Sequence, residues 1–387
     1  MENFNKNKKV KIKKEIKKTK YLKLSSNEYK NNEKLNNKDN TKFLYYDKKF
    51  KFENGASIEE LIIAYTTNGN LNPNKDNAIL VCHAFTGNAN VIEWWSNFVG
   101  KNKAIDTNKY FVICSNVLGG CSGTTGPSSK KPKSNYYYGT DFPIFTIKDI
   151  VKVQKILIDS FGIKKLYCII GASMGGMQVL QWTATYTHMM YKAIIIASAM
   201  RHSPMQIAFN EIAREAITED SEWYGGKYNG ISTPDKGLAL ARMLGHITYM
   251  SEGYMDKKFG RKRKQSAKYF TPSFEVENYL HYNGEKFTSR FDANSFLYLT
   301  KAMDYFDVKD KIKKIKNKKN VQLKKVLVIS FNSDWLYPSS QSAEIVAAYR
   351  NSNINTYFEE LKSNYGHDAF LLKNTKQVRC IKEFLRN

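Results

Sequence analysis

The chain has 387 residues, 42% of them hydrophobic, and a formal net charge of +25. That length allows one large domain with an insertion, or two domains. No apolar run is long enough to cross a bilayer, so membrane residence is excluded as an expectation. Residues 1–40 are Lys/Asn-rich; 14 lysines stand against 5 acidic residues over 1–42. The segment has little to bury and reads as a disordered tail, and its lack of an apolar stretch argues against a secretory signal. The basic charge has no helix-turn-helix, zinc finger or aromatic RNA-binding strand to serve, so a nucleic-acid partner is not expected, and the stretch 257–268 reads as a solvated loop. Five scattered cysteines without a CxxC pair fit reduced thiols in a cytoplasmic protein better than a disulfide framework or a zinc site.

After the tail, residues 49–69 (KFKFENGASIEELIIAYTTNG) predict two strands around an Asn-Gly turn. Short β-branched runs then recur at 77–85, 110–117, 166–173, 192–199, 325–334 and 355–361. Such runs suit strands buried on both faces of a parallel sheet. Residues 146–163 carry apolar positions at helical spacing and close at a glycine, predicting the helix before the 166–173 strand. The alternation implies an α/β fold with a mostly parallel, doubly wound sheet. Between 199 and 325 the pattern is helical, clearest at 205–217 and 236–250. An insertion of that size at the strands' carboxyl ends predicts a helical lid over the cleft where such sheets place ligands. The domain plan is therefore a core of 41–200 and 325–387 and a lid of 201–324.

The pattern Gly171-x-Ser173-x-Gly175 follows the apolar run Leu166–Ile170 and precedes a helical stretch. A serine on a strand-to-helix turn is the nucleophile elbow of α/β-hydrolases, and it demands an acid and then a histidine later in the chain. Asp334 comes just past the stretch VLVIS (326–330), and His367 follows the last strand, in that order. Each alone is an ordinary turn residue; together they form the Ser-Asp-His order of that fold. The backbone N–H groups of Met174, after the nucleophile, and Phe85, in the turn His83-Ala84-Phe85-Thr86-Gly87, are the expected oxyanion donors. The Gly-rich run 116–129 lacks the spacing of a phosphate loop and is expected to form a wall of the same cleft. The residues alone leave hydrolase and transferase open, since both form an acyl-serine.

The motifs CHAFTG, NVLGGCSGTTGPSS, GASMGGMQVLQW, IAFNEIAREAI, GLALARMLGHITYMS, FDANSFLYLTKAMD, SDWLYP and YGHDAFL stand in order over about 45–385. In this, the chain resembles the homoserine O-acetyltransferase family. Ala172 and Phe85 replace the family's usual Gly and Leu without touching a backbone role. The resemblance implies Ser173 as nucleophile, Asp334 as orienting acid and His367 as base. It implies Arg242 as ligand of the amino-acid carboxylate and Asp368 as ligand of the ammonium group. It further implies a ping-pong transfer from acetyl-CoA, a substrate, to L-homoserine in methionine biosynthesis. No metal or prosthetic group is implied, and a homodimer through the lid helices is. Succinyl-CoA as donor, serine as acceptor, and a plain esterase remain open alternatives on the sequence.

Overall fold

The computed structural model describes residues 40–263 and 271–386. The tail at 1–40 lies outside them apart from Asn40, as does part of the basic stretch 257–268. The main sheet has eight strands: β1 (Lys42–Tyr46), β2 (Leu61–Asn68), β3 (Ala78–Cys82), β4 (Phe111–Ser115), β5 (Leu166–Ala172), β6 (Met190–Ile196), β7 (Lys325–Phe331) and β8 (Asn355–Leu361). Their spatial order is β1-β2-β4-β3-β5-β6-β7-β8. β1 and β2 pair antiparallel, as do β2 and β4; the remaining pairs are parallel. Every residue of β3 and β4 is buried, which is why their sequences are unbroken apolar runs.

The expected Asn-Gly turn is present: Phe50–Lys51 pairs antiparallel with Ser57–Ile58, and Gly55 takes φ +92°. The hairpin is smaller than the sequence suggests. The long strand β2 leaves it and pairs instead with β1, a strand that the sequence pattern does not announce. Helix α1 (Ile147–Ser160) begins at a capping box of Thr146 and Asp149. Asp149 also accepts the Glu53 N–H (2.9 Å), so this cap ties the small hairpin to the core. Helix α2 (Met174–Thr185) is buried along almost its whole length behind the sheet. The sheet order reverses beside β3, with β4 on one flank and β5 on the other, and the crevice at such a reversal is where α/β sheets place their sites. All five cysteines are free thiols; burial pushes those of Cys82, Cys114 and Cys168 well up.

The lid leaves the core after β6 and returns at β7. It comprises α3 (Pro204–Thr218), α4 (Asp235–Tyr249), α5 (Glu252–Phe259), α6 (Glu275–Thr288) and α7 (Ala293–Asp304), with short helical turns between. α4 packs between α3 and α6, and α7 lies along α3. The neck is closed by a β-bridge between Arg201 and Asp307 and by the Val308 N–H on the Met200 carbonyl (3.1 Å). Among the described residues no helix is long and apolar enough to cross a membrane.

The glycines of the 171–175 motif answer to close backbone approach. A Cβ on Gly175 would stand 2.2 Å from the Cys82 carbonyl oxygen at the end of β3, and one on Gly171 would stand 2.4 Å from the Gly175 carbonyl oxygen. Gly175→Ala is therefore expected to lower the unfolding free energy by about 2–3 kcal/mol in urea titration, because the clash is with backbone that cannot step aside. A loss under about 0.5 kcal/mol would show that β3 yields to the extra methyl.

Candidate active site

Ser173 occupies φ 56°, ψ −125°, a conformation costly for a residue with a Cβ. Three hydrogen bonds hold its peptide groups there. Ser173 N–H donates to the Ile196 carbonyl (3.0 Å), while Met177 N–H (3.2 Å) and Ser198 Oγ–H (2.8 Å) donate to the Ser173 carbonyl. The neighbouring strand β6 and the helix α2 thus fix the turn from both sides, and the side chain stands at the carboxyl end of the sheet.

Asp334 lies just past β7, and His367 lies in the turn Gly366–Leu371 after β8. The structure brings them together with Ser173: His367 Nε2 is 2.9 Å from Ser173 Oγ, and His367 Nδ1 is 2.7 Å from Asp334 Oδ2. Asp334 Oδ1 accepts the Tyr337 N–H (2.8 Å), so both carboxylate oxygens are engaged. Gly366, at φ +69°, donates its N–H to Ser333 Oγ (3.1 Å) and so joins the histidine turn to the aspartate turn. The imidazole is stacked on the Tyr337 ring, with centroids 4.9 Å apart and planes at 28°, and meets the edge of Phe370. Burial pulls its affinity for a proton down. The charge and hydrogen bond of Asp334, helped by the charge of Asp368, outweigh that and raise its pKa above the usual imidazole range.

Met174 opens α2, where first-turn N–H groups have no partner inside the helix and carry the positive end of its dipole. Phe85 lies across the cleft in the turn closed by Gly87 N–H on the Ala84 carbonyl (2.9 Å). Its ring packs edge-on to Phe291 and Phe296 of the lid, at 5.9 and 4.8 Å. His83, beneath this turn, is uncharged: burial lowers its pKa to about 4. Its Nε2 accepts the Val117 N–H (3.1 Å), at the start of the Gly-rich run. That run does not wall the Ser173 cavity as the sequence suggests. It braces the Phe85 turn from behind, and Gly119 lies against Phe145 where a Cβ would stand 2.1 Å from the ring.

A cavity of about 60 Å³ opens beside Ser173. Phe85, Leu244, Leu336, Met303, Tyr249 and Tyr337 are among its walls, and no lysine or arginine is among the described ones. Arg242, on α4, stands over the rings of Phe287 (4.7 Å) and Tyr249 (5.6 Å). Its Nη1 is buried without a hydrogen-bond partner among the described residues. Asp368 follows His367 directly. Removal from water raises its pKa, against the opposing pull of His367 and Arg242. The charges of Arg242 and Asp368 act on each other and both reach Tyr249, whose ring centroid lies 6.1 Å from that of His367. Arg290 adds a second cation over the Phe287 ring (4.9 Å) and donates from Nη1 to the Thr86 carbonyl (3.2 Å).

Two side chains at the site carry no role in the sequence pattern: Tyr337 and His202. Tyr337 touches all three triad residues, through its N–H on Asp334, its ring on His367 and its hydroxyl beside Ser173. His202 lines the same cavity and bonds Tyr337. The available signal is position: His202 lies a few residues past the end of β6, near the carboxyl end of the sheet where Ser173 stands.

A model of the α/β-hydrolase fold matches residues 77–374. A homoserine O-acetyltransferase of Methanococcus vannielii is 52% identical over 345 residues, 86% of this chain and 70% of that protein. The corresponding protein of Desulfotalea psychrophila is 49% identical over 350 residues, 86% of this chain and 90% of its own length. The crystal structure of homoserine O-acetyltransferase from Bacillus anthracis superposes with a TM-score of 0.80 at 29% identity, covering 90% of this chain and 97% of that one. The crystal structure of esterase E22 superposes equally, with a TM-score of 0.80 at 27% identity, covering 89% of this chain and 100% of that one. By its matched model and by relatives at half identity over most of its length, this chain is an enzyme of the homoserine O-acetyltransferase family, acyltransferases on the α/β-hydrolase fold.

Proposed function

We propose that the protein transfers acetyl from acetyl-CoA to the hydroxyl of L-homoserine through an acyl-Ser173 intermediate. The observation that supports this reading is the buried, unpartnered Nη1 of Arg242, near enough to Asp368, the chain neighbour of His367, for their charges to act on each other. An ester substrate needs neither charge. A zwitterionic amino acid needs one of each, and the buried, unpartnered Nη1 of Arg242 suits a carboxylate. The same pair separates this reading from that of an esterase. The names of the relatives support it independently.

In the first half-reaction His367 Nε2 takes the Ser173 proton as Oγ attacks the thioester carbonyl. Asp334 holds the imidazole in the tautomer with Nδ1–H and stabilises the imidazolium that forms. The oxyanion is received by the N–H groups of Phe85 and Met174, a pair worth several kcal/mol to the transition state. The imidazolium returns its proton to the departing thiolate. Homoserine then enters with its carboxylate on Arg242 and its ammonium group on Asp368. His367 takes the hydroxyl proton as the oxygen attacks the acyl-serine, the acyl–Oγ bond breaks, the imidazolium returns the proton to Ser173 Oγ, and O-acetylhomoserine leaves, a product suited to methionine biosynthesis. The mainly apolar cavity of about 60 Å³ favours an acetyl group over a succinyl group, whose second carboxylate would find no cation there. Its small size also limits the water available to hydrolyse the intermediate.

The lid supplies the proposed dimer contact. Met205 and Ile212 on α3 and Leu240 on α4 are 59%, 58% and 54% exposed, an apolar strip on a face that a second copy would cover. Sedimentation equilibrium is expected to give twice the chain mass. The free thiols suit a reducing, cytoplasmic setting.

With acetyl-CoA and homoserine the enzyme is expected to release free CoA continuously, and with succinyl-CoA or serine at least tenfold more slowly. Arg242→Ala should leave the initial burst of CoA from acetyl-CoA unchanged and slow the transfer step by about two to three orders of magnitude, the cost of a lost charge-assisted pair in a closed site. Arg242→Lys should recover little, since an ammonium cannot make the forked contact. A weakened burst with unaltered transfer would instead assign Arg242 to the donor.

The sign of the pH dependence comes from His367. Its pKa is raised, and only the neutral imidazole is a base, so kcat/KM should fall as pH drops through a value above the usual imidazole range. Asp334→Asn removes the charge that raises the pKa. The acid limb should then move to lower pH, while the plateau falls by about 10⁴ because the tautomer is no longer held. An acid limb that stays in place would assign it to another group.

A further inference from the structure

The mechanism leaves one buried chain of titratable groups unused, and that chain ends beside the nucleophile. His202, Arg214 and Tyr337 are buried beneath the lid. Asp304 Oδ1 is 2.9 Å from His202 Nδ1 and accepts from Asn210 Nδ2 at 2.7 Å, while Oδ2 accepts from Arg214 Nη1 at 2.7 Å. His202 Nε2 is 2.8 Å from the Tyr337 hydroxyl. The elements come from four places: His202 from the segment after β6, Asn210 and Arg214 from α3, Asp304 from the end of α7, and Tyr337 from the loop after β7.

The direction of each hydrogen bond can be worked out along the chain. Burial pushes the Asp304 carboxyl up, but the contacts of His202, Asn210 and Arg214 more than offset this and hold it below the ordinary range. It is a carboxylate, and a carboxylate only accepts, so Nδ1 of His202 carries a proton. Arg214 is shared between Asp304 and Glu211, and Lys301 reaches Glu211, so two cations face two carboxylates and the cluster balances with a neutral imidazole. Nε2 is then a lone pair that accepts a hydrogen bond from the Tyr337 hydroxyl. That phenol keeps its proton: burial and then the charge of Asp334 are the main causes raising its pKa.

A phenol has one proton to give. Donated to His202, it cannot be given to Ser173, whose hydroxyl stands beside it. A hydrogen bond donated to Ser173 Oγ would occupy the lone pair that must attack the acyl carbon. We propose that His202, set by Asp304, is a positioning residue for acyl transfer: it turns the Tyr337 hydroxyl proton away from Ser173 and keeps the nucleophile's lone pairs free. The proposal rests on Ser173 being the nucleophile of the proposed acyl transfer, and not on which acyl donor the enzyme uses.

The test is therefore run on the full chain with p-nitrophenyl acetate, following the burst of p-nitrophenolate. In His202→Asn the shorter amide still donates to Asp304 and no longer reaches Tyr337. The hydroxyl is free to donate to Ser173, and acylation should slow about tenfold, the rate equivalent of one buried hydrogen bond. Tyr337→Phe, which has no hydroxyl proton to misdirect, sets the reference rate. The double variant should return to the rate of Tyr337→Phe, because the harm comes from the hydroxyl that His202 no longer holds; a merely structural role for His202 would add the two losses. His202→Gln, whose carbonyl can accept the phenol proton, should stay within about threefold of wild type and serves if the Asn variant does not fold. A double variant as slow as His202→Asn, or a tenfold loss in His202→Gln that Tyr337→Phe does not restore, overturns the proposal. Ser173→Ala is the control. If it keeps the burst, the reading of the nucleophile fails as well; if it loses the burst while the variants are additive, this inference alone fails.

Discussion

Everything at the site depends on how closely the backbone of the elbow approaches the end of β3. Gly171 and Gly175 leave no room for a Cβ between Cys82, the turn and α2. That closeness forces Ser173 into a strained conformation, and the strain is useful only because neighbours over-determine it. The Ile196 carbonyl and the Ser198 hydroxyl fix the turn from β6 and the residues after it. Met174 opens α2 immediately after Ser173, so the same packing sets a first-turn N–H next to the serine, the donor of the proposed oxyanion hole. The Phe85 donor is placed from the other side by the lid, through Phe291, Phe296 and the Arg290 contact to Thr86.

Around the serine the electrostatics divide into two histidine–aspartate pairs with different duties. His367 and Asp334 have no cation between them; their mutual attraction is what raises the imidazole's affinity for a proton. His202 and Asp304 belong to a larger group in which Arg214 lies between Asp304 and Glu211 and Lys301 reaches Glu211, so two cations face two carboxylates. Tyr337 lies between the two pairs, stacked on one imidazole and bonded to the other. A single serine thus has one base and one restrained neighbour, a division that charge balance makes and that residue type alone would not reveal.

Legibility in the sequence obeys the same physics. The parallel strands are readable because burial on both faces leaves unbroken apolar runs, and the triad is readable because each member comes after its own strand. Strand β1 is not: it is an edge strand, half-buried, and abuts the Lys/Asn tail, so its pattern KFLYY has no alternation to betray it. The Gly-rich run is misleading because glycines report closeness to something, and here the something is Phe145, Phe43 and the run's own backbone. Arg242 and Asp368 are visible only through resemblance, since an arginine on a helix and an aspartate in a turn are ordinary. His202 and Tyr337 carry no readable role because their partners, Asp304 and Arg214, come from lid helices distant in the chain.

An acetyltransferase and an esterase superpose on this chain at the same TM-score, so the fold alone does not choose between the two chemistries. A serine, a histidine and two N–H groups make an acyl-enzyme in either case. Water and an alcohol then compete for that one intermediate. Water needs only space beside Oγ, and the cavity there is small and mainly apolar. Homoserine needs purchase at a distance from the reacting carbon, and in the proposed transfer Arg242 and Asp368 offer it. Binding energy gained at those two charges would hold the hydroxyl at His367, where its effective concentration far exceeds that of a loosely held water. On the proposed reading, transfer wins over hydrolysis through two charges outside the catalytic group, with the triad itself unchanged.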